Sequence, residues 1–179
     1  MKPVFIILGV IVVFFAAMII TFRALASKIN QSAGNHEKIL KAGAGSSKKA
    51  LVLFQPSLSS VTKKTAFKIA KGLHDTGYEV TVNNPGEHIS NDMSQYAVVA
   101  FGCPVYGGKL SPVLLDTIKS AKLLPAQKLF VFVTGGVGTT AELESATSLI
   151  TGTQNIKAVK YVVSNRDFER EAYQLGFTA

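Results

Sequence analysis

The chain of 179 residues has no tryptophan, one cysteine, and 11 acidic side chains against 19 lysines and arginines. A lone cysteine, Cys103, closes no intramolecular disulfide and belongs to no CxxC pair, so no oxidative staple and no dithiol motif is available. Its place at the end of an apolar run predicts a small buried residue. The three histidines, His36, His74 and His88, are scattered, and no metal site is expected. Neither G-x-G-x-x-G nor G-x-x-x-x-G-K-[ST] occurs, which removes the dinucleotide fingerprint and the triphosphate loop. No Ser/His/Asp arrangement or carboxylate pair is evident. The +8 charge is also dilute. Residues 1–47 carry five basic side chains against Glu37, and residues 48–179 carry fourteen against ten acidic ones. Half the excess lies in each part, without the dense basic surface that a nucleic acid requires.

What is present starts at the N-terminus. From Pro3 to Phe22 no side chain is charged. A bilayer core takes roughly 20 apolar residues in helix, so residues 1–26 are predicted to be an uncleaved transmembrane anchor. "ALA" at 24–26 resembles a cleavage site, but the run exceeds the roughly 7–15 residues of a signal-peptide core, and Arg23 separates the two. Positive charge is denser after the span, with Arg23, Lys28 and Lys38, which predicts a cell-membrane location with the following domain facing the cytoplasm. Residues 27–47 are polar and rich in Gly, Ala and Ser. They are expected to be a flexible linker with a reach of about 25 Å, with a turn or two of helix in "HEKILKA".

Beyond Lys48 the pattern changes. Apolar runs at Ala50–Phe54, Tyr78–Val82, Ala97–Phe101, Leu129–Val133 and Val159–Val163 read as strands, several of them continuous as in parallel sheets covered on both faces. Helical patterns fall at Val61–Thr76, Pro112–Lys122, Ala141–Leu149 and Arg166–Leu175. In the first, Ala66, Ile69, Ala70 and Leu73 recur at i, i+3, i+4 and i+7. Together these predict an α/β, doubly wound, five-stranded parallel sheet, whose ligands lie beyond the carboxyl ends of the strands.

Three loops fall at such ends. "QPSLSSVTKKT", 55–65, places Ser57, Ser59, Ser60 and Thr62 where the first strand meets the first helix, and the amides and dipole of a helix start attract an anion. "FGCPVYGGKLSP", 101–112, carries Pro104, Val105, Tyr106, Gly107 and Gly108. "VTGGVGTT", 133–140, carries Thr134, Gly135, Gly136 and Gly138.

The spacing Ser57-x-Ser59-Ser60-x-Thr62 resembles the [T/S]-x-T-G-x-T segment with which flavodoxins hold the phosphate of FMN, and Leu58 and Val61 complete it. The second loop resembles the family's G-[ST]-P-x-[YW]-G-G segment, which lines the isoalloxazine. That likeness implies that Tyr106 stacks on the ring and that Gly107 and Gly108 let the backbone approach it. The third loop falls where the family makes its third flavin contact. The resemblance covers Lys48 to about Gly176 and implies a flavodoxin-like domain at 48–179, strand order 2-1-3-4-5, binding FMN noncovalently. It would transfer electrons to a redox partner protein or a small-molecule acceptor. Two alternatives stay open: an FMN-dependent oxidoreductase acting on a quinone- or porphyrinogen-type substrate, and a flavodoxin fold without FMN that serves as an interaction domain. Three features depart from the family: Ser60 replaces its glycine, the last helix is short, and the charge is basic where flavodoxins are acidic.

The charge has a redox consequence. Lys109 stands beside the expected ring site, and the three loops hold few carboxylates, so negative charge arriving on FMN is opposed less than in an acidic site. A redox titration is expected to give a second reduction step less negative than in acidic flavodoxins; a potential as low as theirs removes the idea.

Overall fold

Successive side chains of a strand point to opposite faces, and here both faces are apolar. In β2 (Lys49–Phe54), Ala50, Val52 and Phe54 join one core, and Leu51 and Leu53 join the other. The same division holds in β4 (Val98–Pro104) and β5 (Lys128–Gly135): Ala100, Phe130 and Phe132 lie on the first face, and Val99, Phe101, Val131 and Val133 on the second. Each large apolar side chain buried this way contributes about 1.5–3 kcal/mol. The computed structural model describes residues 2–29, 31–43, 48–136 and 139–179, without the side chains of 2–6, 22, 25, 26, 28 and 29. It divides into two units, Met1–Gln31 and Ser32–Ala179.

In the second unit the sheet order is β1-β3-β2-β4-β5-β6. The five strands β2, β3 (Glu79–Asn83), β4, β5 and β6 (Ile156–Val162) are parallel and follow the expected order. One correction concerns the count. A sixth strand, β1 (Lys38–Leu40), pairs antiparallel with β3 where a turn of helix was expected. It covers what would otherwise be an open sheet edge, Leu40 packs on the first core, and the Lys38 ammonium lies 5.3 Å from the Phe67 ring centroid.

Helices α2 (Val61–Asp75) and α5 (Phe168–Phe177) contribute to the first core, and α3 (Pro112–Ser120) and α4 (Ala141–Thr147) to the second. α2 buries Ala66, Ile69, Ala70 and Leu73, as its periodicity predicts. It ends in a Schellman motif, with Tyr78 N–H donating to the Leu73 carbonyl (3.2 Å) and Gly77 N–H to that of His74 (2.9 Å). Residues 84–97 cross from β3 to β4 without a helix, and Ile89, Met93 and Tyr96 pack on the second core instead.

The first unit is α1 (Lys2–Ile29). Among the described residues no helix is long and apolar enough to cross a membrane. On that finding the transmembrane anchor, the membrane as a partner, and the cell-membrane location with a cytoplasm-facing domain are corrected.

α2 and α5 approach through two glycines. A Cβ at Gly72 would lie 2.2 Å from the Tyr173 carbonyl oxygen, and one at Gly176 would lie 2.1 Å from that of Ile69. Both obstacles are backbone, so the helices must separate to admit a methyl group. Gly72→Ala and Gly176→Ala are each expected to cost about 1–3 kcal/mol, read as a lowered Tm. Gly43→Ala, where nothing lies within 4 Å, should leave Tm unchanged.

Candidate functional site

Parallel pairing brings three strand ends to one edge. Phe54 pairs with Gly102, and Pro104 with Thr134, so the segments after β2, β4 and β5 emerge side by side.

The first segment, 55–60, leads into α2. Its N-cap is Ser60, with φ −78° and ψ 1°, a conformation open to any L-residue. The serine in place of the family's glycine is therefore unstrained. Its carbonyl accepts the first helical bond from Lys64 N–H (2.8 Å), and its side chain makes no cap bond. Ser59 and Ser60 are exposed, while Ser57 and Val61 are half-buried, with the Ser57 hydroxyl donating to the Ser59 carbonyl. Thr62 is fully buried, and its hydroxyl lies 2.6 Å from that of Thr134, itself buried at the end of β5.

The second segment is a two-residue hairpin. Tyr106 and Lys109 exchange backbone hydrogen bonds (3.1 Å each), and Gly107 and Gly108 turn between them at φ +57° and +71°. Two consecutive positive φ values are the mark of a type I′ turn, so the first task of these glycines is to make the turn. Tyr106 reaches across to the first loop, where its hydroxyl accepts from Leu58 N–H (2.8 Å). Pro104 is the buried last residue of β4, and Val105 N–H donates to the Thr134 carbonyl (2.8 Å).

At the third segment β5 runs two residues further than predicted, so Thr134 and Gly135 belong to the strand. Val163 N–H donates to the Gly135 carbonyl (3.0 Å) and keeps β6 alongside. Gly136 is exposed. Gly138 lies outside the described residues.

The edge thus gathers Ser57, Leu58, Ser59, Ser60, Val61, Pro104, Val105, Tyr106, Gly107, Gly108 and Gly136 around a buried Thr62–Thr134 pair. Lys63 and Lys109 are exposed, whereas Lys64 and Lys68 approach Glu169 at 3.6 and 3.2 Å. Cys103 has no part in this edge. It is buried, accepts from Ser111 N–H (3.2 Å) and donates to the Pro104 carbonyl (3.1 Å), and burial pushes its thiol up to about 12.

Sequence reasoning missed two groups. At the end of β3, buried Asn84 donates its amide to the Phe54 carbonyl (2.8 Å), and the Asn83 side-chain oxygen accepts from His36 N–H (2.9 Å), tying a preceding strap to the first loop. The doublet Asn83-Asn84 closing an apolar strand was its only signal. The second is an ion pair, Lys160 on β6 with Glu142 on α4 (2.9 Å), and the ammonium lowers the carboxyl's pKa. Nothing in the spacing announces it. A separate cleft of about 980 Å³ lies between residues 86–91 and α3, lined in part by His88, Asn91, Val113 and Thr117.

No protein-family model and no curated protein matches this chain. Solved structures do. A flavodoxin from Archaea is 15% identical with TM-score 0.52, over 73% of this chain and 94% of its own. Megasphaera elsdenii flavodoxin is 16% identical with TM-score 0.55, over 73% and 99%. The Flv1 flavodiiron core from Synechocystis sp. PCC6803 is 17% identical with TM-score 0.55, over 74% of this chain and 35% of that one. The fold is flavodoxin-like. Within it, the three segments occupy the carboxyl edge where doubly wound sheets take their ligands.

Thr62→Val keeps the shape but leaves the Thr134 hydroxyl buried without this partner. The expected cost is about 1–3 kcal/mol in denaturant unfolding, and the double variant Thr62→Val/Thr134→Val should lose less than the sum of the singles.

Proposed function

We propose that this chain is a flavodoxin-like electron carrier that binds FMN noncovalently at the carboxyl edge of its sheet. The observation that carries the reading is the meeting of the three segments at Thr134, which joins Val105 of the second and Thr62 beside the first. Ordinary backbone at Ser60 and open space beside Gly107, Gly108 and Gly136 are compatible with the group.

In this reading residues 48–179 bear the site, after the segment 27–47. Ser57, Ser59 and Ser60, with the amides at the start of α2, hold the monophosphate through hydrogen bonds and the helix dipole. Thr62 acts from below, fixing the loop against β5. Pro104, Val105, Tyr106, Gly107 and Gly108 line one side of the ring system, and Thr134, Gly135, Gly136 and Gly138 the other. FMN, when bound, supplies one- and two-electron chemistry. The protein orients it, limits water at its inner edge, and presents a basic rim through Lys63 and Lys109. Such a rim favours an acidic redox partner or an anionic small-molecule acceptor.

A second reading, a flavodoxin fold serving as an interaction domain, has one observation in its favour. The Leu58 amide, a donor the phosphate would use, already donates to the Tyr106 hydroxyl.

Reconstitution separates the two. After incubation with FMN and gel filtration, the full chain is expected to keep a flavin absorption spectrum, with Ser60→Gly binding as well or better and Thr62→Val more weakly. A chain that stays colourless overturns the carrier reading.

A further inference from the structure

Charged side chains are almost never fully buried unless paired, and Lys160 and Glu142 are 5% and 8% exposed. Removing both from water is unfavourable, and such a pair persists only where its geometry is good and its remaining donors are used. The Lys160 ammonium uses two of its three donors on the protein. It donates to Glu142 Oε2 (2.9 Å) and to the Thr139 backbone carbonyl (2.6 Å). Its stem runs close to the end of β5, where a Cβ at Gly135 would lie 3.6 Å from Lys160 Cε. One side chain from β6 therefore reaches the Thr139 end of the third loop, and Glu142, at the start of α4, holds it there. Ordering glycine has a high entropic cost, and Gly136 follows directly on β5. A ligand binds more tightly when that ordering is already done.

We propose that Lys160 and Glu142 form a clamp that fixes Thr139 and the start of α4 for FMN, with Lys160 as a positioning residue that does not touch the cofactor. The inference rests on the FMN reading of the site. The clamp is specific in chemistry: position 160 must both carry positive charge, for Glu142, and donate a hydrogen bond, for the Thr139 carbonyl.

The test uses the full chain and two readouts. The first is amide hydrogen exchange at residues 139–144 without FMN; the second is FMN affinity from quenching of its fluorescence. Lys160→Met is expected to speed exchange there and to weaken FMN by about tenfold. Glu142→Gln should do the same to a smaller extent, and Lys160→Arg, which keeps charge and donors, should retain most of the affinity. Gly72→Ala, placed in the α2–α5 contact, lowers stability without touching the loop and should leave the affinity of the folded protein unchanged. Unchanged exchange in Lys160→Met overturns the clamp. Faster exchange with unchanged FMN affinity overturns its link to the cofactor, as does equal weakening by Gly72→Ala. If the unsubstituted chain takes up no FMN, the cofactor assignment fails, while exchange still decides whether the clamp exists.

Discussion

Burial of the central strands on both faces is the constraint from which the rest follows. Ala50, Val52 and Phe54 need a cover on one side, and Leu51 and Leu53 need one on the other. Helices, and between β3 and β4 the segment 84–97, supply the cover, and each must return the chain to the same end of the sheet before the next parallel strand begins. Every strand of the parallel set then ends at one edge. The gathering of the loops at 55–60, 105–111 and 136–140 is thus a consequence of core formation. Evolution of a site at that edge has only to choose loop residues.

Those loops are braced chiefly by short polar contacts. Leu58 leans on Tyr106, Thr62 on Thr134, and Asn84 on the Phe54 carbonyl. Such bonds add modestly to stability, but leaving one half-made underneath a core is costly. Rigidity here comes from that penalty more than from the strength of any one bond. The hairpin at Tyr106–Lys109 adds a turn with a fixed hand, so Tyr106 is delivered toward the first loop by backbone geometry.

How much of this was legible in the sequence depended on whether the signal was local. The five parallel strands and α2 were readable because periodicity of burial is written in consecutive residues such as Ala66, Ile69, Ala70 and Leu73. The three loops were readable from their position after apolar runs. β1 was not: Lys38-Ile39-Leu40 has no strand pattern of its own and becomes a strand only because β3 offers an open edge. The extension of β5 through Thr134 and Gly135 depends likewise on β6 lying alongside. Nothing local singled out Lys160, because its partner lies 18 positions away on another element. The apolar N-terminal run misled in the opposite direction, since hydropathy was read there without the structural finding that set the expectation aside.

The fold also sorts the charges by how far their influence reaches. The side chains of Lys160 and Glu142 are largely covered and opposite in charge, so at a distance their fields largely cancel and what remains is a local tie between β6, Thr139 and α4. Lys64 and Lys68 face Glu169 on the surface, where solvent weakens each pair and neighbouring charge is partly offset. Lys63 and Lys109 are exposed at the carboxyl edge, Lys63 in the first turn of a helix, where a cation opposes the dipole. A cation in that position destabilises the helix slightly unless an anion sits nearby. In the FMN reading, the phosphate at the start of α2 would offset Lys63 and use the helix-start amides at Ser60 and Val61. Salt screens exposed charges within about 10 Å at 0.1 M. The exposed charges of the edge are thus sensitive to ionic strength, whereas the largely covered Lys160–Glu142 pair is much less so.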